Sequence, residues 1–326
     1  MRSWTFFLTC AAIAAGIFGA ARAIGNDYAF FAGYVILQFI VLAQAWNILG
    51  GYAGYVNFGS AAFFAVGAYT TVFFHKYYPL PLPLLMLLAG LVSGAAGLGM
   101  GYLTLRLRGA FFAIATLAFA VVLQTLVVNW NYVGGARGAY VIRPESAWLI
   151  GSYVNYLFLL MLGLAVIAVT TARALERSRL GLGFATIRDD ELAAEASGVP
   201  TLRLKLVATV LSGALMGMAG APFPYYIGYV QPAATFGLDY AVNAIAMPMI
   251  GGAGTWFGPL IGAVLVASLQ QWATVSISSE LSLLVVGLLL VGFVIVAPGG
   301  LVGLARRLLR APASPGAPKS NAVVEP

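Results

Sequence analysis

The chain alternates long apolar blocks with short polar ones. The blocks lie at roughly 4–22, 28–49, 59–74, 82–105, 109–130, 148–171, 204–226, 239–252, 256–273 and 280–297. They are apolar around the whole helical circumference and lack the polar–apolar alternation of a barrel strand. Most reach the roughly 20 residues that a spanning helix needs. The pattern predicts an all-α fold, a polytopic transmembrane helical bundle of about ten segments, with eight to eleven as the range. The third, eighth and ninth blocks are short, which predicts tilted, broken or re-entrant pieces. Irregular backbone at membrane depth has to be covered by protein or line a wet cavity.

One interval departs from this pattern. The stretch ATIRDDELAAEASGVP, from Ala185 to Pro200, carries Arg188, Asp189, Asp190, Glu191 and Glu195, although only 8% of the 326 residues are charged. Thr186 followed by Asp189 has capping-box spacing. The acidic residues favour the positive end of a helix dipole, and Ala193, Ala194 and Ala196 are good helix formers. Gly198 stands where a C-terminal cap belongs, and Pro200 blocks continuation. A helix from Ile187 to Ser197 is therefore expected. It is too short to span and marginal on its own, so it reads either as a solvated loop helix or as a docking helix for a partner.

Composition sharpens the class. The chain is 61% hydrophobic, with mean hydropathy +0.94. The net charge of +7 reads as membrane topology and not as nucleic-acid binding, because the basic residues fall between apolar blocks. With the N-terminus inside, thirteen of the 17 Lys and Arg residues are cytoplasmic, and Arg22, Lys76, Arg137 and Arg143 lie outside. That split predicts an N-in, C-in arrangement with the 173–203 loop in the cytoplasm. Residues 1–300 read as the transmembrane domain, and 301–326 as a mostly disordered cytoplasmic tail rich in Pro, Ala and Ser. Arg2, the first apolar block and Ala21-Arg22-Ala23 resemble a cleavable signal peptide, but the long apolar run that follows favours a retained first helix.

Candidate chemistry is sparse. Cys10 is the lone cysteine, and His75 reads as a solvated loop residue. No P-loop is present, no metal set is apparent, and no catalytic group is expected. Gly90/Gly94, Gly97/Gly101, Gly213/Gly217 and Gly258/Gly262 have the spacing of close helix packing. Two other clusters interrupt helical blocks: Gly50 to Gly59, containing Gly51, Gly54 and Asn57, and Gly251 to Pro259, containing Gly252 and Gly254. They read either as tight turns or as the broken helices that transporters use for sites and gates. The intramembrane polar residues Gln38, Gln44, Asn47, Asn57, Gln124, Asn129 and Asn243 are all neutral amides, fit for helix–helix hydrogen bonds or for a pathway wall. No block has a carboxylate near its middle, which speaks against ion coupling and for energy supplied from outside the chain.

The charged stretch resembles the coupling loop of ATP-binding cassette importer permeases. Trp46 to Gly54 with Asn57-Phe58-Gly59, Leu107 to Phe119, Leu204 to Gly220, Tyr229-Val230-Gln231-Pro232 and Gly251 to Pro259 are similar to the branched-chain amino acid permease family, in particular to the second of its two permease subunits. The resemblance covers about residues 30 to 300. It implies a multi-pass protein of the bacterial inner membrane that translocates branched-chain amino acids or a related small solute. It implies as partners a second homologous permease, two cytoplasmic ATPases that bind ATP and magnesium, a periplasmic or extracellular binding protein, and membrane lipid. No cofactor is implied in this chain. Arg188, Asp189, Asp190, Glu191, Ala194, Glu195 and Gly198 would form the ATPase-coupling helix. Asn47, Gly51, Gly54, Asn57, Gly59, Gln124, Asn129, Asn243, Gly251, Gly252 and Gly254 would line the path or break helices. The chain departs from the family pattern at Ala110 and at Ala120 to Gln124, which leaves urea, short amides and aromatic acids as alternative solutes. A stand-alone carrier or channel is the reading from another class.

Overall fold

Every apolar block that lies within the described residues folds as helix. The computed structural model describes residues 3–78, 80–144, 146–147, 151–276 and 299–309, with scattered positions between 284 and 295. The helices are α1 (Ser3–Ile24), α2 (Asp27–Asn47), α3 (Ser60–Tyr77), α4 (Leu82–Thr104), α5 (Ala110–Val128), α6 (Tyr153–Glu176), α7 (Arg179–Asp189), α8 (Glu191–Ala196), α9 (Thr201–Gly220), α10 (Phe223–Ile227), α11 (Pro232–Thr235), α12 (Leu238–Gly251), α13 (Gly258–Ser276) and α14 (Gly300–Leu309). Among the described residues, 8 helical stretches are long and apolar enough to cross a membrane. The block expected at 280–297 lies largely outside the described residues.

The three short blocks stay below about 20 residues: α3, α12 and α13 run for 18, 14 and 19 residues, and α3 is not among the candidate spans. His75 is not in a loop. It sits in the last turn of α3, with Nδ1 3.0 Å from the Tyr225 hydroxyl, because α3 extends three residues past the predicted end. Within the stretch read as the tail, α14 continues to Leu309, and residues 310–326 lie outside the described residues.

α2 is the hub, packed against α6, α9, α12 and α13 and buried along most of its second half. The α4–α9 seam shows what the spaced glycines do. A side chain at Gly213 would meet the Ser93 carbonyl at 3.0 Å, and one at Gly97 would meet the Thr209 carbonyl at 3.0 Å. On its other side α9 meets α3, where Gly67 lies against the Gly217 backbone and Gly220 against that of Phe64. Small residues let the three backbones close in where lipid offers no hydrophobic drive between helices. α12 and α13 meet in the same way, Gly251 against Gly258 and Gly262 against Met247.

The two ends of the bundle differ. At one end lie α7, α8, the start of α1 (Phe6 packs on Trp256, centroids 5.1 Å apart) and α14, whose Val302 approaches Gly252. Both ends of the described chain thus lie on the side of the charged loop. At the other end, Ala139–Tyr140 pairs antiparallel with Tyr229–Val230, and Tyr77 stacks on Tyr132 with centroids 4.6 Å apart.

Candidate functional site

The charged end is built on a break in α2. Its last turn passes into a π-helical turn, Ile48–Tyr52, a geometry often found at functional sites. Gly54 then takes φ +77°, and the loop reaches α3. The second glycine cluster follows α12, with Gly252 at φ +124° and Gly254 at φ +78°. L-residues with a side chain rarely adopt such angles.

Asn47 ties the two clusters together. Its Nδ2 donates to the Thr255 carbonyl at 3.0 Å, and its Oδ1 accepts from the Gly254 amide at 2.9 Å. One turn earlier, Gln44 Nε2 donates to the Trp256 carbonyl at 2.6 Å. Within the first cluster, Trp46 Nε1 donates to the Asn57 carbonyl at 2.9 Å, and Asn57 Oδ1 accepts from the Gly59 amide at 2.7 Å. Gly51 and Gly59 are equally confined. A side chain at Gly51 would overlap Asn47, and one at Gly59 would meet the Thr116 carbonyl at 2.8 Å.

The charged stretch is two helices, not one. α7 begins under a Ser178 cap, whose Oγ accepts from the Gly181 amide at 3.2 Å, and runs through Ile187 to Asp189. The chain breaks at Asp190 (φ −159°, ψ 107°), which caps α8 by accepting from the Ala193 amide. Thr186 caps nothing; its hydroxyl donates back to the Gly183 carbonyl. The expected start at Ile187 therefore fails, because Asp190 is the better-placed cap and an earlier serine starts the preceding helix. The expected end holds. Gly198 takes φ +81°, and the Val199 amide closes on the Ala194 carbonyl at 3.0 Å.

The loop has an inner and an outer face. Inward, Ile187 and Ala194 are buried. Arg188 lies against Gly54 and Gly254, and its Nη1 makes a long, 3.4 Å hydrogen bond to the Gly51 carbonyl. Glu191 is the centre of a polar knot. Lys205, 3% exposed, donates to Glu191 Oε1 at 2.7 Å, to the Leu105 carbonyl at 2.8 Å and to the Tyr55 hydroxyl at 3.1 Å. Tyr55 donates to Glu191 Oε2, and Arg108 Nε stands 3.3 Å from the same oxygen. Glu195 is held by Thr201 at 2.8 Å and by Arg108 at 3.6 Å. Burial alone raises the Glu191 pKa. The Lys205 and Tyr55 hydrogen bonds and the Lys205 and Arg108 charges outweigh it, leaving the carboxyl below its usual value. Outward, Asp189 and Asp190 are exposed, and Leu182 and Leu192 are 69% and 63% exposed. A cleft of about 400 Å³ opens beside the knot, lined in part by Tyr55, Arg108, Phe112, Arg188 and Glu191.

The structure therefore gathers Asn47, Gly51, Gly54, Asn57, Gly59, Gly252, Gly254, Arg188 and Glu191 at one end. Gly251 belongs instead to the α12–α13 seam. Asn243 accepts from Gln270 at 2.8 Å, a bond between α12 and α13. Gln124 lies on α5 and Asn129 caps its C-terminal end, both apart from the cluster; Asn129 bonds back to the helix at Thr125. The sequence reading gave no site role to Tyr55, Arg108 or Lys205. Glu176, whose Oε2 accepts from the Trp256 amide at 2.7 Å, was also missed. The signal available was an acidic loop flanked by a lysine four residues into the next helix. Among the described residues no group of His, Cys, Asp and Glu could hold a metal ion.

Residues 28–294 match the family described as branched-chain amino acid transport system / permease component. The high-affinity branched-chain amino acid transport system permease protein LivM of Salmonella typhimurium is 31% identical over 297 residues, covering 83% of this chain and 69% of the relative. LivM of Escherichia coli is 30% identical over the same shares. LivH of Salmonella typhimurium, also named a permease protein of that system, is 21% identical over 81% of this chain and 91% of the relative. No solved structure matches the chain.

Proposed function

Because the chain belongs to the branched-chain amino acid transport system permease family, a family of multi-pass inner-membrane proteins, we propose that it moves branched-chain amino acids or a related small solute under power from partner ATPases. In this reading a second homologous permease completes the membrane unit. Two cytoplasmic ATPases bind the nucleotide, and an external binding protein delivers the solute. α7 and α8 face the cytoplasm and seat on an ATPase through the exposed Leu182, Asp189, Asp190 and Leu192.

The observation that carries this reading is the knot at Glu191. A short surface helix has nothing to transmit if it is only solvated. Here α8 is bound through Glu191, Lys205 and Tyr55 to the loop after α2, and α7 is bound through Arg188 to both glycine clusters. Motion of α7 and α8 as a pair therefore displaces the end of α2, α9 and the 252–257 loop together. Sequestered charges resist separation, because removing one partner of a buried pair costs about 3–5 kcal/mol.

Reconstitution with candidate ATPases and a binding protein tests the proposal. Wild type copurifies with the ATPases and takes up leucine when ATP is supplied. Leu192→Arg inserts normally but loses both. Uptake by the chain alone, without ATPases, establishes a stand-alone carrier instead.

A further inference from the structure

α1 is thinly attached. It rests on α6, and only 11% of its apolar stretch is buried. Beneath it runs a groove of about 260 Å³ between α1, α2, α6 and α13, walled by residues such as Cys10, Ile17, Leu37, Val166, Trp256 and Leu260. Its lining is almost wholly apolar, so ordered water would find few hydrogen-bond partners in it. The four helices are all among the candidate spans.

A cation stands at the mouth of the groove. The Arg173 guanidinium lies 3.6 Å from the Phe6 ring centroid and 5.4 Å from that of Trp256, and both rings line the groove. Among the described residues no carboxylate pairs with Arg173. Glu176, one turn on, is already engaged by the Trp256 amide and the Tyr52 hydroxyl. Arg177 and Arg179 follow, both exposed. An apolar slot with, at its mouth, a guanidinium that no carboxylate among the described residues pairs is complementary to an amphiphile with an anionic head. The planar fork of arginine suits phosphate oxygens, and tryptophan favours headgroup depth.

From this geometry we infer that the groove is a binding site for an anionic phospholipid, one acyl chain lying between α1 and α6 and the phosphate resting on Arg173. The lipid wedges α1 against the bundle. This site is independent of the solute and of the ATPase seat.

Native mass spectrometry and thermal unfolding of the full-length chain in nanodiscs test the inference. The probes are phosphatidylglycerol, phosphatidylcholine and glycerol phosphate. Wild type retains phosphatidylglycerol in preference to phosphatidylcholine and melts higher with it. Arg173→Gln weakens that retention about fivefold, the share of one basic residue at an anionic surface. Ile13→Trp, which fills the groove from an exposed position on α1, removes it while leaving melting in phosphatidylcholine unchanged. The inference is overturned if wild type does not distinguish the two lipids or if both variants retain phosphatidylglycerol as wild type does. It also falls if glycerol phosphate competes fully, which marks a plain phosphate site, or if a copurified second permease subunit displaces the lipid from the groove.

Discussion

Along the α4–α9 seam glycine removes volume. At Gly217 an added side chain meets Ser93 and, at 2.6 Å, the Ala89 carbonyl, yet the backbone there is ordinary helix. Around Gly54 and Gly254 glycine supplies a conformation, with φ +77° and +78°, and the space it leaves is taken by Arg188 from a different part of the chain. Both regions are rich in the same residue and both are tightly filled. The seam is filled by backbone against backbone, which has one arrangement. The bends are filled by a long side chain and by amide hydrogen bonds, which can be exchanged. The seam is suited to be a rigid body and the bends to be where rigid bodies move against each other.

Substitutions in the two regions should therefore fail differently. Gly217→Val overpacks the seam and costs about 3 kcal/mol or more, read as loss of folded protein on extraction and a collapsed melting temperature. Asn47→Ala removes both hydrogen bonds to the second cluster. It costs about 2 kcal/mol, with insertion retained and ATP-driven uptake reduced, and equal damage to folding and transport would erase the distinction. Acid acts on the bends and not on the seam. Glu191 is held below its usual 4.5, so the folded state takes up this proton less readily than the unfolded chain. The contribution of Glu191 is complete above about pH 4.5 and is lost as pH falls through its lower native value. Melting measured from pH 7 downward should fall more steeply in wild type than in Glu191→Gln. Asn243→Ala, which breaks a single helix–helix bond, should cost about 0.6 kcal/mol and leave uptake near wild type.

Much of the fold was legible because bilayer physics is coarse. The apolar blocks placed the described helices to within a few residues, and the GxxxG-type spacings marked glycines at close helix contacts without saying that α4 and α9 are the pair that meets. What escaped depends on which way a polar residue faces. Lys205 and Arg203 look alike in sequence, two positions apart near the start of one helix, but only Lys205 is buried against Glu191. The Asp189-Asp190-Glu191 run can cap a helix at more than one residue, so the break at Asp190 could not be distinguished from a single helix starting at Ile187. The convergence of Asn47 with Gly254, 207 positions away, leaves only the two loosely similar glycine clusters as its trace.

Under the proposed function, force entering at α8 reaches the glycine bends through the Glu191–Lys205 pair. The most direct measurement is solute moved per ATP hydrolysed in proteoliposomes carrying Glu191→Leu with Lys205→Met. Replacing both charges with apolar groups leaves no orphaned ion, so the chain should still fold. The assembled double variant should hydrolyse ATP but move at least about tenfold less solute per ATP, the effect of a barrier change near 1.4 kcal/mol. A wild-type ratio in that variant would contradict this route.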